Sequence, residues 1–331
     1  MVKIATILTV RNGSSRLPRK NTRAICGKPV MVWTIERLSK LPGKVIVATT
    51  DKQEDNSIAD ICTSIDIPVF RGAVDDVVGR MNGALMQYIP DADLVFRGLG
   101  DCPFIEIELV NRAAQIIHST ESDAFLWHLS PDTWPVYGSR EFPFSINGWK
   151  KIFNKATSEE REHIDEYYHN NREKFKIVYH EPPSTIYFRP YRLEIDWFED
   201  LDLIDTIGKE IGMESTLSDV IKFLDENPQI ASINKDRTEK TGPLTSYIYG
   251  LRRKWMRAMI GKPVTAWDNT VWQPPDPKAT PIFCNSGKCL IGYGKSGILY
   301  TKSGDRIGGN AYKSCPCGAG KYWKAAIEKA K

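Results

Sequence analysis

Eleven consecutive residues, Arg11-Asn12-Gly13-Ser14-Ser15-Arg16-Leu17-Pro18-Arg19-Lys20-Asn21, combine a glycine, two serines and four cations. Glycine lets a backbone approach a ligand closely, and successive N–H groups can line an anion site. Arginine meets phosphate with a planar fork, lysine with a point charge. The loop reads as a phosphate cradle or, taken alone, as a solvated basic turn. It is not the Gly-x4-Gly-Lys loop of ATP-binding proteins, whose spacing is absent. Two carboxylates extend the pattern: Asp101, after Leu94-Val95-Phe96-Arg97 and Gly98-Leu99-Gly100, and Asp196, after Leu193-Glu194-Ile195. A carboxylate at the end of an internal strand can hold Mg2+, a hard cation that shares oxygen ligands with phosphates. Alone, either carboxylate reads as a cap or turn residue. As a pair beside a basic loop, they are better explained by metal-assisted phosphoryl chemistry. Cys102, next to Asp101, is a tempting nucleophile that such chemistry does not need.

The elements that must position these residues alternate. Ile4 to Val10 is a continuous apolar run, residues 31–41 carry apolar side chains at helical spacing, and Lys44 to Thr50 is again strand-like. Helical patterns follow at 56–65, 75–88 and 106–118, separated by strands at 68–70 and 94–97. Strands alternating with helices predict an α/β fold with a mostly parallel sheet covered on both faces. In such sheets ligands bind beyond the carboxyl ends of the strands, where both chemical loops fall. Residues 130–183 are less regular and include a charged helix at 158–170. Residues 193–196 read as a final strand, and helices follow at 199–211 and 217–225.

The chain has 331 residues with a formal net charge of +4, 41% hydrophobic and 26% charged, and no apolar run long enough to span a membrane. A cytoplasmic protein is expected. The charge is uneven: residues 244–331 carry 15 Lys/Arg against 4 Asp/Glu, a net of +11, which leaves −7 on residues 1–243. That division suggests three parts: a nucleotidyltransferase-like domain at 1–243, a basic helix and Pro/Trp-rich linker at 244–281, and a small Cys-rich C-terminal domain at 282–331. The helix at 246–260, with Arg252, Arg253, Lys254 and Arg257, reads either as a contact for nucleic acid or an anionic membrane, or as a helix packed on the acidic domain. Cys284-x4-Cys289 and Cys315-x-Cys317 form a four-thiolate set on Gly-rich turns, suited to structural Zn2+, with free buried thiols as the rival. No histidine lies beyond His180, so every such ligand would be cysteine.

Seven motifs in order give the chain a family resemblance over about residues 3–243. They are Arg11 to Asn21 with Gly27-Lys28-Pro29; Ala48-Thr49-Thr50-Asp51; Val69-Phe70-Arg71-Gly72 with Asp75-Asp76-Val77; and Gly100-Asp101-Cys102-Pro103-Phe104. Then come Glu160-Arg161-Glu162-His163; Arg192-Leu193-Glu194-Ile195-Asp196 with Glu199-Asp200-Leu201; and Leu224-Asp225-Glu226-Asn227-Pro228 with Asn234. Together they resemble the cytidylyltransferases that make CMP-activated sugar acids. That group includes the 3-deoxy-manno-octulosonate and acylneuraminate cytidylyltransferases and the spore-coat polysaccharide protein F branch.

The resemblance implies a Rossmann-like, glycosyltransferase-A-type nucleotidyltransferase fold that transfers CMP from CTP to a 2-keto sugar acid and releases pyrophosphate. It implies that Arg11, Ser15, Arg16, Lys20 and Asn21 bind the triphosphate end, with Thr49, Asp51 and Arg71 around the nucleoside. Asp101 and Asp196 would hold Mg2+, joining Arg11 and Lys20 as the catalytic set. Arg161, Glu162, His163 and Arg192 would lie toward the sugar, and a homodimer would form through the irregular middle. Two segments depart from the pattern. Gly138-Ser139-Arg140-Glu141-Phe142 stands where the spore-coat branch has an acidic Gly-Leu-Asp-Val-Glu-like stretch, and Asp196-Trp197-Phe198-Glu199-Asp200 replaces Asp-Thr-Pro-Glu-Asp. The tail segment Cys315-Pro316-Cys317-Gly318-Ala319-Gly320-Lys321 resembles a small zinc knuckle that lacks its closing pair. Two other readings compete: nucleotidyl transfer to a sugar phosphate or alcohol, and a catalytically divergent fold that binds through its basic tail.

Overall fold

The computed structural model describes residues 2–127, 136, 138, 143–180, 191–235 and 237, together with short strands between 264 and 307. The chain divides into two compact units. The first comprises Met1–Phe125, Val136–Val178 and Tyr191–Thr238; the second comprises Leu126–Pro135, Tyr179–Pro190 and Glu239–Lys331.

The first unit begins with β1 (Ile4–Thr9), whose Ile4, Ala5, Ile7 and Leu8 are wholly buried. A hairpin of β2 (Ala24–Ile25) and β3 (Lys28–Pro29) leads into α1 (Val30–Leu38). Next come β4 (Gly43–Thr50), α2 (Asn56–Ser64), β5 (Val69–Gly72), α3 (Val77–Tyr88), β6 (Leu94–Leu99) and α4 (Ile107–Thr120). They are followed by β7 (Ala124–Trp127), β8 (Phe144–Ser145), α5 (Ile146–Lys155), α6 (Ile164–Asn170) and β9 (Ile177–His180). The unit closes with α7 (Phe198–Ile211), α8 (Leu217–Glu226) and α9 (Pro228–Ala231).

Across this unit the sheet runs β9-β7-β8-β6-β1-β4-β5. β1 is parallel to both β4 and β6, and β4 is parallel to β5, while β8 is antiparallel to β6 and β7. The α/β expectation with a mostly parallel sheet holds. The chain moves outward from β1 to β4 and β5, then crosses back to place β6 on the other side of β1. That reversal opens a crevice at the strands' carboxyl ends, the usual ligand position in such sheets. Helix starts are locally encoded. The Asp76 carboxylate accepts from Gly79 N at 2.6 Å to cap α3, and Thr216 with Asp219 forms a reciprocal capping box on α8.

Two expectations are corrected. Residues 193–196 are not a strand. Ile195 N donates to Asp101 O at 3.0 Å, and Asp196 N and Trp197 N donate to Asp200 Oδ2 at 2.9 and 3.0 Å. Those bonds bend the segment toward β6 and the first turn of α7, where a sheet neighbour would have kept it straight. The helix expected at 158–170 is broken into a 3-10 turn (Glu159–Arg161) and α6, with His163 extended between them. Arg161 supplies the reason: its guanidinium reaches Asp76 at 2.8 and 3.1 Å and Phe153 O at 3.0 Å. This pulls the turn onto the cap of α3.

In the second unit, β10 (Val264–Thr265) and β11 (Val271–Trp272) pair antiparallel. A four-stranded antiparallel sheet follows, formed by β12 (Thr280–Phe283), β13 (Leu290–Lys295), β14 (Ile298–Tyr300) and β15 (Arg306–Ile307). The expected basic helix at 246–260, Arg140, and Cys284, Cys289, Cys315 and Cys317 lie outside the described residues. Among the described residues, no helix is long and apolar enough to cross a membrane.

Candidate active site

The loop after β1 is held in shape by buried polar groups. Asn12 N donates to Asp55 Oδ1 at 2.7 Å, and its side-chain amide donates to Glu54 O at 2.7 Å and Ser57 Oγ at 3.0 Å. Asp55 is wholly buried and also accepts from Thr50 Oγ1. Leu17, wholly buried, pins the middle of the loop, and Asn21 donates to Arg11 O at 3.1 Å to close it. A buried carboxylate and amide bonded in this way fix the loop before any ligand arrives, which is the preorganisation that phosphate binding needs. Gly100 lets the end of β6 pack against this loop, since a Cβ there would lie 2.8 Å from Asn21 Oδ1 and 2.9 Å from Val10 Cγ2.

Between loop and sheet lies a cavity of about 250 Å³. It brings together Arg11, Ser15, Arg16, Lys20 and Asn21 from the predicted nucleotide set, Asp101 from the predicted metal pair, and Glu162 and His163 from the predicted sugar side. Lys20 is the hub: its ammonium touches Asp101 and lies 2.7 Å from Asp196 Oδ1. Asp196 also faces Arg16 at 2.8 Å and Arg192 at 2.5 Å. Burial alone would lower the Lys20 ammonium, but the two carboxylates outweigh it and push it up. Burial works the other way on Asp196, and Lys20, Arg192 and Arg16 override it to hold the carboxyl below its usual range.

Glu194 was not assigned a role from sequence, and the structure brings it to the site. Asp101, Glu194 and Asp196 each put a carboxylate oxygen within 4.8 Å of the others. Burial first, then the Asp101 and Asp196 charges, push the Glu194 carboxyl up to about 7, against the pull of Arg192 and Lys20. Its signal was available in sequence as a second acid two residues before Asp196. Three hard carboxylates around a position already favourable to positive charge suit Mg2+ in donor type. Arg80 and Arg97, also unassigned, line the same cavity.

Other predicted residues lie elsewhere. Arg192 is buried and committed to Asp196 and to Asp200, whose other oxygen accepts from Asn234 at 2.8 Å. Arg161 serves Asp76. Thr49 is wholly buried within β4, and Asp51 is exposed just beyond it. The Arg71 guanidinium is bonded to Thr50 O, Lys52 O and Asn56 Oδ1 at 2.8–3.0 Å. Trp197, where the resembling family has threonine, stacks under Arg237 and Arg16, with ring centres 4.4 and 5.9 Å away.

A family model described as cytidylyltransferase matches residues 5–222. An uncharacterised protein of Methanocaldococcus jannaschii is 32% identical over 244 residues, covering 72% of this chain and 98% of the relative. The spore coat polysaccharide biosynthesis protein SpsF of Bacillus subtilis is 25% identical over 240 residues, covering 70% and 98%. The solved structure of a cytidylyltransferase from Leptospira borgpetersenii superposes with a TM-score of 0.62 at 26% identity, covering 70% of this chain and 97% of that one.

Proposed function

The chain belongs to the cytidylyltransferase family, and from that premise we propose that it transfers CMP from CTP to a 2-keto sugar acid, releasing pyrophosphate for glycan biosynthesis. One observation carries the reading: the basic loop and Asp101 line one cavity, and Lys20 joins Asp101 to Asp196 behind it. Arg11, Arg16, Lys20 and the Ser15 region of the loop bind the triphosphate. Asp101 and Asp196, with Glu194 beside them, would hold Mg2+, which would supply neutralisation of phosphate charge. Lys20, between the two carboxylates and the cavity, offers its ammonium to the triphosphate. An acceptor hydroxyl gives up its proton to solvent and attacks the α-phosphorus; a new P–O bond forms, the bond from the α-phosphorus to the bridging oxygen breaks, and pyrophosphate leaves with that oxygen. Positioning and charge neutralisation supply most of the rate. Glu162 and His163, on the turn that breaks the 158–170 helix, present polar groups to the acceptor.

The sugar-acid acceptor is supported by the ordered motifs between Arg11 and Asn234. The test is a screen of four nucleoside triphosphates against a panel of 2-keto sugar acids, sugar phosphates and alcohols, read by pyrophosphate release. CTP with a sugar acid is expected to give the highest turnover. Preference for another nucleotide, or for a sugar phosphate, overturns the assignment.

A further inference from the structure

Two arginines in the cavity are used neither by the triphosphate reading nor by any sequence motif. Arg97 lies on β6 opposite Ile7 of β1, four residues before Asp101, and its Nε donates to Thr9 Oγ1 at 3.2 Å. Its two Nη groups have no hydrogen-bond partner among the described residues. Arg80, in the first turn of α3, is 3% exposed. Its Nη1 donates to Ala73 O and, at 2.7 Å, to Val74 O, while its Nε is buried with no partner. Arg11 lines the same cavity and faces Glu162 at 3.7 Å. Burial, and then the charges of Arg11 and Arg97, depress the Arg80 guanidinium, a sign of how closely the three cations stand.

Three guanidiniums converging on one part-buried cavity repel each other and carry a desolvation cost that an anion among them would offset. The fork of an arginine suits an oxyanion better than a hydroxyl, because it can give two parallel charge-assisted bonds. Arg16 and Lys20 are directed to Asp196 and Asp101 at the phosphate end. Among the described residues, Arg80 and Arg97 bond to neither carboxylate and line the same cavity as the loop, Glu162 and His163.

We propose that Arg97, backed by Arg80, anchors an oxyanion of the acceptor, and so selects acceptors that carry a carboxylate or a phosphate. This rests on the reading of the cavity as a nucleotidyl-transfer site, and it assigns the group that sets acceptor specificity. The test is calorimetry on the full chain saturated with CMP, which has no pyrophosphate to lose. The probes are 3-deoxy-manno-octulosonate, its methyl ester and a hexose 1-phosphate, each titrated into wild type, Arg97→Gln and Arg97→Lys. CTP affinity is measured separately for each protein. Wild type should bind the acid more tightly than the ester by about tenfold or more, the worth of one charge-assisted pair. Arg97→Gln should erase that difference with CTP affinity unchanged within about twofold, and Arg97→Lys should restore part of it. Binding of the hexose phosphate that depends on Arg97, with no binding of the acid, keeps the oxyanion site but overturns the sugar-acid acceptor. The proposal itself falls if Arg97→Gln binds the acid as tightly as wild type, if its CTP affinity drops as far as its acid affinity, or if wild type binds none of the anions.

Discussion

Replacing Lys20 with methionine removes the ammonium that joins Asp101 to Asp196 and keeps a side chain of similar length. At an effective dielectric of 20, one ion pair at the Lys20–Asp196 separation is worth roughly 6 kcal/mol before desolvation. Relief of the ammonium's own burial offsets much of that, and Arg16 and Arg192 still face Asp196. The net loss expected is therefore about 3 kcal/mol. For a unit of roughly 200 residues this lowers Tm by about 6–12 °C. The loss has a pH signature. The folded Asp196 carboxyl is held below its usual range, so its stabilisation is present above the unfolded pKa of about 3.9 and disappears as pH falls through the lower folded value. Without Lys20 the carboxyl moves back up, so the gap between variant and wild type is fully open from pH 8 down to about pH 4 and narrows only below that, as Asp196 takes up its proton. Millimolar Mg2+ should narrow it too, by returning positive charge to the carboxylates. The assay is thermal denaturation of both proteins from pH 8 to about pH 2, with and without Mg2+. Equal stability at pH 8, or a gap independent of both pH and Mg2+, would refute the reasoning.

Other outcomes follow from the same geometry. Glu194, with its carboxyl pushed up to about 7, costs the fold stability as pH rises from the unfolded value of about 4.3 through 7. Glu194→Gln should therefore be more stable than wild type at pH 8, by on the order of 2 kcal/mol, with no gain at pH 4; a uniform change at both pH values counts against the burial of that charge. The four-cysteine set is proposed to bind zinc, so purified protein should carry about one Zn2+ per chain, measured by metal analysis. Cys315→Ser with Cys317→Ser should lose it, and equal zinc in both proteins would remove the assignment.

Much of this site was readable because its chemistry is crowded into short stretches. Four cations, a glycine and two serines within Arg11 to Asn21 have few other uses, and a strand before them puts the loop at a sheet end. The segment 193–196 misled because alternating apolar and acidic residues look the same in a strand and in a bent loop held by backbone bonds to Asp101 and Asp200. Arg80 and Arg97 were hidden inside a helix and a strand, where a single polar residue reads as the solvent face. Their place in the cavity depends on α3 folding over β1, β4 and β5, which local pattern does not report. Asp55 was equally silent: a short acidic stretch reads as solvated until the Asn12 backbone is seen to need its carboxylate.

The central claim is that Asp101 and the basic loop form one machine for transferring CMP. The most direct measurement is pyrophosphate release from CTP with a 2-keto sugar acid, comparing wild type with Asp101→Ala under saturating Mg2+. The account predicts acceptor-dependent release by wild type and a loss of about a thousandfold or more in the variant, as expected when a group that stabilises phosphoryl charge is removed. Turnover by Asp101→Ala near the wild-type rate would contradict it.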